Sequence, residues 1–537
     1  MSIRISNLRL GLDEPEAALA EHLTRVLGVN LGSVRRWRIL RKSLDARRKD
    51  SLQFVYTAEV CLAHDEARVV ELARRTRREV RIDQHEEPAF AMPAPGQRPL
   101  AGRPVVIGSG PGGLVAAYFL AEAGYQPLLL ERGRAVRERI RDVHAFDAGG
   151  PFDPDSNYLF GEGGAGTFSD GKLTCRGAGP DVRRVLELFA ASKGKPSILY
   201  EYRPHLGSNR LPAVVKAIRR RIEALGGEVR FSCRVDDLDI ADGRLRGLMT
   251  SSGYLPAEVA LLATGHSARD TYAMLVRRGV PMVQKPFQMG VRIEQPQDTV
   301  NRVQYGSRRL EDKLGAADYT LVARGPHDLF TFCMCAGGHV IPSVSEPGFF
   351  CTNGMSLSRR DSPFANSGLV VTVPTEHFGA ADVLAGVRLQ AQYEQRAYAL
   401  SQGEYRCPIQ LAEDFLAHRP TRDLPPSSYP RGLVLADLAE LVPPFLVEAL
   451  RHGLPIFDHR WHGWFLHEAT LVGPEARGSS PVRIVRDDVT RETPGIEGIY
   501  PVGEGAGYAG GIVSAAVDGL RSAKAVIAKY APLAKND

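Results

Sequence analysis

Along the first 84 residues the apolar positions change period several times. Ile3-Arg-Ile-Ser-Asn-Leu alternates apolar and polar residues, as a half-buried strand does. From Glu14 to Leu27 the apolar residues Ala18, Leu23, Val26 and Leu27 recur at helical spacing, and Gly28 ends the run. Arg36–Leu40 and Leu52–Val60 return to alternation and flank the polar stretch Asp45–Asp50, which reads as a hairpin tip. A second helical pattern, Asp65–Arg75, leads into the short strand pattern Glu79-Val-Arg-Ile. The order βαββαβ predicts a split-βαβ, ferredoxin-like domain over residues 1–84.

Residues 85–102 carry Pro88, Pro93, Pro95 and Pro99 among small and polar side chains, the composition of an extended linker. A new α/β pattern starts at once: Pro104-Val-Val-Ile-Gly108-Ser-Gly110-Pro111-Gly112-Gly113, an amphipathic run to Gly124, then Gln126-Pro-Leu-Leu-Leu130-Glu131-Arg132. A lone G-x-G-x-x-G is weak evidence, but here strand, turn, helix, second strand and terminal acid are all present. Gly108 permits the tight turn, Gly110 lets the backbone approach a pyrophosphate, and Gly113 lets helix and strand pack closely. The helix N-terminus offers free N–H groups to the phosphates. Glu131 would accept from a ribose 2′-OH and repel a 2′-phosphate, which disfavours NADP at this site. Gly161-Glu-Gly163-Gly-Ala-Gly166 also fits the spacing, but Thr167-Phe-Ser-Asp-Gly171 follows with no helical pattern, so it reads as a glycine-rich loop.

The glycine motif does not by itself separate FAD from NAD. Glu228–Val235 is strand-like, Asp242-Gly243 and Ser252-Gly253 mark the turns of a meander, and Ala257–Leu262 leads into Ala263-Thr264-Gly265. Near the C-terminus Gly498-Ile-Tyr-Pro-Val-Gly503-Glu504-Gly505 is a strand ending in an acid, and Gly510-Gly511-Ile512 opens a helix. These segments together resemble FAD-dependent oxidoreductases of the glutathione-reductase superfamily. The resemblance implies that the last acid, here Glu504 in place of the usual Asp, binds the ribityl chain while the final helix points at the flavin pyrimidine ring. A helix dipole there would stabilise the negative charge of reduced flavin.

A closer resemblance follows from Phe160–Leu173, Ala263–Asp270, Phe332-Cys333-Met-Cys335-Ala-Gly-Gly338, Thr352–Ser356, Ala365–Ser367, Arg477–Ile484 and the Gly503-Glu504 segment. Nearly the whole chain is similar to the uncharacterised FAD-dependent dehydrogenases of bacteria, with plastid relatives. Ala336 stands where Pro is expected and Gln295 where His is expected; both departures fall on the substrate side. The resemblance implies FAD, with Gly108, Gly110, Pro111, Gly112, Gly113, Glu131 and Arg132 in the first half of its site. Gly166, Thr167, Val235, Ala263, Thr264 and Gly265 would follow, then Gly503, Glu504, Gly510, Gly511 and Ile512. The expected architecture is α/β: a Rossmann-type FAD domain (103–270 and 481–537), an inserted α+β substrate or cap domain (271–480), and the ferredoxin-like domain in front.

Composition adds bounds. A chain of 537 residues with 44% hydrophobic and 24% charged residues is an ordinary globular protein of roughly three domains. The start of the chain lacks a signal-peptide pattern and no stretch is apolar enough to span a membrane, so a cytoplasmic setting is expected. Seven cysteines without regular spacing argue against a disulfide framework. The net charge of +6 is concentrated at Arg35, Arg36, Arg38, Arg41, Lys42, Arg47, Arg48 and Lys49, and at Arg74, Arg75, Arg77, Arg78 and Arg81. Such clusters are either nucleic-acid patches or solvated faces.

The candidates for chemistry each have a plainer reading. Cys333 and Cys335 sit two apart on an apparent strand and would face one side. Ordinary bridge geometry disfavours an i,i+2 disulfide, so a structural or substrate-lining role leads, and a redox pair is the sharper alternative. His266, just past a strand end, is either a proton donor or acceptor or a loop histidine tied to backbone. Lys172 either neutralises a reduced flavin or substrate anion, or is a turn lysine. Arg292, Arg477 and Arg483 would bind an anionic substrate if they converged, and are otherwise ordinary ion-pair partners. His452, His459, His462 and His467 match no closed zinc set, so no metal is expected.

No second strand–glycine–helix–acid unit is present, so any nicotinamide donor, NADH or NADPH, would bind transiently. The leading function is hydride exchange between FAD and a small, unidentified substrate under the cap, an anion if the arginines converge there. The alternative is a flavin-binding module in which FAD is structural or sensory and the basic N-terminal domain grips RNA or an acidic partner.

Overall fold

The computed structural model describes residues 2–63, 66–76, 79–175, 177–306, 310–379 and 382–533. The N-terminal segment folds as β1 (Ser2–Gly11), α1 (Leu19–Leu27), β2 (Val34–Asp45), β3 (Gln53–Leu62), α2 (Glu66–Thr76) and β4 (Arg81–His85). The sheet order β2-β3-β1-β4, antiparallel throughout, is the ferredoxin-like arrangement. Leu19, Leu23 and Leu27 form the buried stripe of α1, and Gly28, at φ 66°, closes it. Of the expected second helix, Asp65 lies outside the described residues, as do Arg77 and Arg78 of the second basic cluster.

The proline-rich stretch is not a free spacer. The Gly96 N–H donates to the Ile527 carbonyl at 2.8 Å and the Ala531 N–H to that of Arg98 at 2.7 Å, so the stretch runs strapped to the C-terminal helix Ile512–Lys529. A Cβ on Gly96 would lie 2.3 Å from the Lys529 backbone, so this close seating requires the residue's missing side chain.

β5 (Val105–Ile107), α3 (Pro111–Glu122) and β6 (Leu128–Leu130) form the nucleus of a five-stranded parallel sheet. Its order is Ile499–Pro501, Ala260–Leu262, β5, β6, Glu228–Arg230. All its strands are three residues long; four are fully buried because both faces are covered, and only the edge strand Glu228–Arg230 carries charged residues. Every residue of α3 from Gly112 to Ala121 is buried, as befits a helix caught between the sheet and the C-terminal helix. The expected strand 228–235 is interrupted: Ser232 takes φ 51°, and Val235 begins a separate antiparallel meander with Arg244–Thr250 and Gly253–Pro256.

The inserted region is built on a seven-stranded mixed sheet whose centre, Phe287–Pro296, pairs with Phe364–Val373 over ten positions. The chain leaves the Rossmann-like unit through Met282–Gln284 and returns through Val482–Ile484, and these two strands pair with each other. Tyr272, Met274 and Leu275 of the helix Arg269–Arg277 pack with the Rossmann strands. We therefore place the boundary at this paired stem rather than at residues 270 and 480.

Candidate cofactor cleft and active site

A cleft of about 450 Å³ runs between the C-terminal ends of the parallel strands and the inserted region. This is where open α/β sheets bind ligands, and the volume lies in the range of small-molecule sites. Its floor is the turn after β5. Gly108 takes φ 99°, and a Cβ there would stand 2.4 Å from the Ala263 carbonyl oxygen. Gly110 faces the opening, and a Cβ on it would meet nothing within 4 Å. Gly113 does not line the cleft; a Cβ on it would stand 1.9 Å from the Gly108 oxygen, so it serves helix-to-strand packing.

Sixteen of the eighteen residues proposed for the cofactor line this cleft, Gly113 and Thr167 being the other two. Thr167 is buried, and its hydroxyl donates to the Glu162 carbonyl at 3.1 Å. Glu131 lines the cleft with its carboxylate already engaged. Oε2 accepts from the Ser109 N–H (2.9 Å) and hydroxyl (2.6 Å), and Oε1 from the Gly133 (2.9 Å) and Gly161 (3.0 Å) N–H groups. A ribose hydroxyl could join only by replacing the Ser109 hydroxyl, a constraint the glycine motif does not reveal. Arg132 is tied to Asp155 (3.2 Å) and Asp270 and lies over Phe160.

The other end of the cleft is differently provided. Glu504 Oε1 accepts from the Ser480 N–H at 3.0 Å, but Oε2 is buried with no partner, near the open N-terminus of the final helix at Gly510 and Gly511. Burial raises the carboxyl's pKa. An orphaned acceptor beside free helix N–H groups fits a ligand carrying hydroxyls and developing negative charge, as the ribityl chain and reduced ring of FAD do. Asp518 fixes this corner by accepting from the Gly503 N–H at 2.8 Å while pairing with Arg486 and Arg491.

Lys172, His266 and Cys333 line the far wall, with Phe332 and Asn353. His266 Nε2 lies 3.1 Å from the Arg477 carbonyl, which can only accept, so the proton sits on Nε2 and Nδ1 keeps its lone pair. Burial, then the Arg477 charge, lowers its pKa to about 4, leaving it neutral near pH 7. Lys172 is no exposed turn residue: Nζ donates to the Met334 carbonyl and stands 3.6 Å from Asp170. Cys335 is buried and does not reach the cleft.

The three arginines do not converge. Arg292 is fully buried, with Nε 2.7 Å from Glu475 and further bonds to Asn353 and Asn366. Arg477 touches the cleft, but its guanidinium is spent on Glu394 (2.7 and 2.9 Å) and Ser345. Arg483 is exposed and lies over Tyr508. Charges this deeply buried need carboxylate partners, and the fold provides them at long range.

Two contributors went unnoticed in the sequence. Asp170, buried, accepts from Ser356 and contacts Arg360 (3.2 Å) besides Lys172. Arg139 donates to the carbonyls of Asn157, Tyr158, Gly161, Glu162 and Gly164, bracing the glycine-rich loop, whose Gly163 N–H donates to the Ser109 carbonyl in the turn after β5. Its signal was available: it occupies the buried stripe Val136, Arg139, Val143, Phe146, where an unpaired charge would be costly.

Comparison with known proteins agrees with this geometry. Residues 286–478 match the family described as FAD-dependent protein, C-terminal domain-like, residues 106–164 an NAD(P)-binding Rossmann-like domain, and residues 2–61 a domain of unknown function. The class is therefore an FAD-dependent oxidoreductase family with a Rossmann-like dinucleotide-binding domain, and FAD is its cofactor. More particularly, the chain belongs to one family with an uncharacterised protein of Clostridium beijerinckii, 39% identical over 535 residues and 99% of each chain. Among solved structures it is similar to glycine oxidase from Bacillus cereus (13% identity, 79% of this chain and 94% of that one, TM-score 0.31). It is also similar to L-proline dehydrogenase from P. horikoshii (11%, 80% and 93%, TM-score 0.33). Likenesses this distant carry no argument about chemistry. Among the described residues no helix is long and apolar enough to cross a membrane.

Proposed function

We propose that the protein is a dehydrogenase or reductase that exchanges hydride between FAD and a small molecule seated against Lys172, His266, Cys333 and Asn353. The observation that carries this reading is the continuity of one cleft from the glycine turn, past the orphaned Glu504 oxygen, to that wall. Gly108, Gly110 and Gly112 would hold the pyrophosphate and Glu504 the ribityl chain, as in the glutathione-reductase superfamily. Bound FAD supplies two-electron redox chemistry; the chain supplies position and protons. His266, neutral and with Nδ1 free, accepts a hydrogen bond from a substrate N–H or O–H. Because Arg292 and Arg477 are committed to carboxylates, nothing in their placement selects an anionic substrate.

The alternative of a nucleic-acid module loses support from the basic clusters themselves. Arg38 pairs with Glu59 and Glu87, Lys42 with Glu16, Arg47 with Asp45, and Arg74 and Arg81 with Asp83. Much of the positive charge is thus cancelled locally. The test is anaerobic stopped-flow bleaching of the flavin band with NADH, with NADPH, and then with a panel of small amines, alcohols and acids. Bleaching by a nicotinamide or a panel member supports the reading. A flavin that resists all of them but answers dithionite would sink it.

A further inference from the structure

The strand Leu329–Cys335 is not regular. Its register against Phe364–Val373 shifts between Phe332 and Cys335, and Cys333 sits in the bulge at φ 46°, a left-handed conformation that a side-chain-bearing residue rarely holds. The distortion breaks the regular strand on which both thiols were expected to face one side. Cys335 Sγ lies 3.3 Å from the Cys333 carbonyl oxygen, folded back toward the residue it would pair with. Cys333 lines the cleft, whereas Cys335 is buried behind it against Gly354. Lys172 bonds to the carbonyl of Met334, the residue between them, so its ammonium is anchored to the same short segment.

We propose that Cys333 and Cys335 form a two-electron thiol couple on the wall of the FAD cleft, a role that rests on the FAD-dependent reading above. Cys333 is the thiolate on the cleft side and Cys335 the proton-bearing partner. In the exchange the Cys333 sulfur forms a bond to the Cys335 sulfur, and the Cys335 S–H proton is released. The two electrons of the thiolate and thiol pass to FAD, which takes up one proton to give FADH⁻. Run in reverse, FADH⁻ gives two electrons to the disulfide and its proton to the Cys335 sulfur, so the reopened thiolate and thiol store the electrons of a substrate-derived hydride.

The electrostatics agree in direction. The Cys335 thiol first, then Lys172 and Arg292, hold the Cys333 thiol below its ordinary value against burial and Asp170. The Cys335 thiol is held above its own by its bond to Cys333 and by burial. A nucleophilic thiolate in the opening with a protonated thiol behind it is the division of labour that thiol–disulfide exchange needs.

The test is anaerobic reductive titration of the air-oxidised, FAD-loaded protein with dithionite, followed at the flavin band. The couple requires four electrons per FAD where a lone flavin takes two; the Cys335→Ser variant must fall back to two. Peptide mapping of the wild-type protein needs no variant: the 333–335 peptide must be two hydrogens lighter before reduction and doubly alkylated after it. Consumption of two electrons by wild type, with both thiols alkylated before reduction, overturns the couple while leaving the FAD reading intact. A protein that binds no flavin overturns the FAD reading instead.

Discussion

Gly110→Ala separates cofactor binding from folding. Gly110 caps α3 at φ −66° and ψ 179°, angles open to any residue, and an added Cβ meets no protein atom within 4 Å. The apoprotein should therefore fold normally and gain about 0.4–1 kcal/mol from the stiffer unfolded chain. The new methyl occupies only the space through which the pyrophosphate approaches the backbone. Suppose it weakens FAD by a hundredfold. At free FAD about a hundred times the wild-type Kd, ligand-linked stabilisation is about 2.7 kcal/mol for wild type and about 0.4 kcal/mol for the variant. Thermal unfolding of apoprotein with and without added FAD reads both quantities. Gly113→Ala is the contrast: its Cβ would stand 1.9 Å from the Gly108 oxygen, so helix and strand must part and the apoprotein itself must lose stability. If Gly110→Ala keeps wild-type FAD affinity, the pyrophosphate does not lie at this turn.

Glu504→Ala should weaken FAD about tenfold, the loss of one hydrogen bond to a charged acceptor at roughly 1.5 kcal/mol, measured by calorimetry; unchanged affinity would remove Glu504 from the site. His205, buried against Ser356 and Asp170, has its pKa brought down from 6.5 to about 4, by burial first and Arg360 next. Above pH 6.5 both states are neutral and its contribution is whole; as pH falls towards 4 the unfolded chain takes a proton that the folded one refuses. Stability should drop over that window by up to about 3 kcal/mol, and urea melts of His205→Asn should show a shallower drop. Glu394→Gln should cost about 3–5 kcal/mol in the same melts, because Arg269 and Arg477 lose the carboxylate they share; a loss under about 1 kcal/mol would refute that assignment.

Much of the fold was legible because its signals are local. The period changes in the first 84 residues, the glycine turn between β5 and β6, and the acid-then-glycine run before the final helix each lie within a few residues of the structure they specify. The glycine-rich loop at 161–166 was separable from a true dinucleotide turn by the missing helical pattern, and it forms a short 3-10 segment there. What escaped depends on distant partners. Nothing near Arg292 announces Glu475, which lies 183 positions away, or near Arg477 announces Glu394, 83 positions away. The proline-rich linker looked free because the helix it lies on comes more than 400 residues later. The bulge at Cys333 is a register shift between strands, which a one-strand reading of alternate faces has no means to detect.

The committed arginines explain how so polar a wall is kept in place. Arg269 follows the Ala263–Ala268 loop of the Rossmann-like unit, and Arg477 leaves the last long strand of the inserted region; both grip the fully buried Glu394 on the helix Ala385–Leu400. One carboxylate thus clamps two sides of the cleft, and the Arg477 carbonyl is held where it fixes the His266 ring. Arg292 and Glu475 do the same behind Cys333, whose carbonyl Arg292 also contacts at 3.3 Å. Buried ion pairs contribute little net stability, but once formed they leave few alternative arrangements. That rigidity would serve the proposed hydride exchange, which needs the reacting groups held to a fraction of an ångström. On the proposed reading the arginines would act on the chemistry only by holding His266 and Cys333, which line the cleft in their stead.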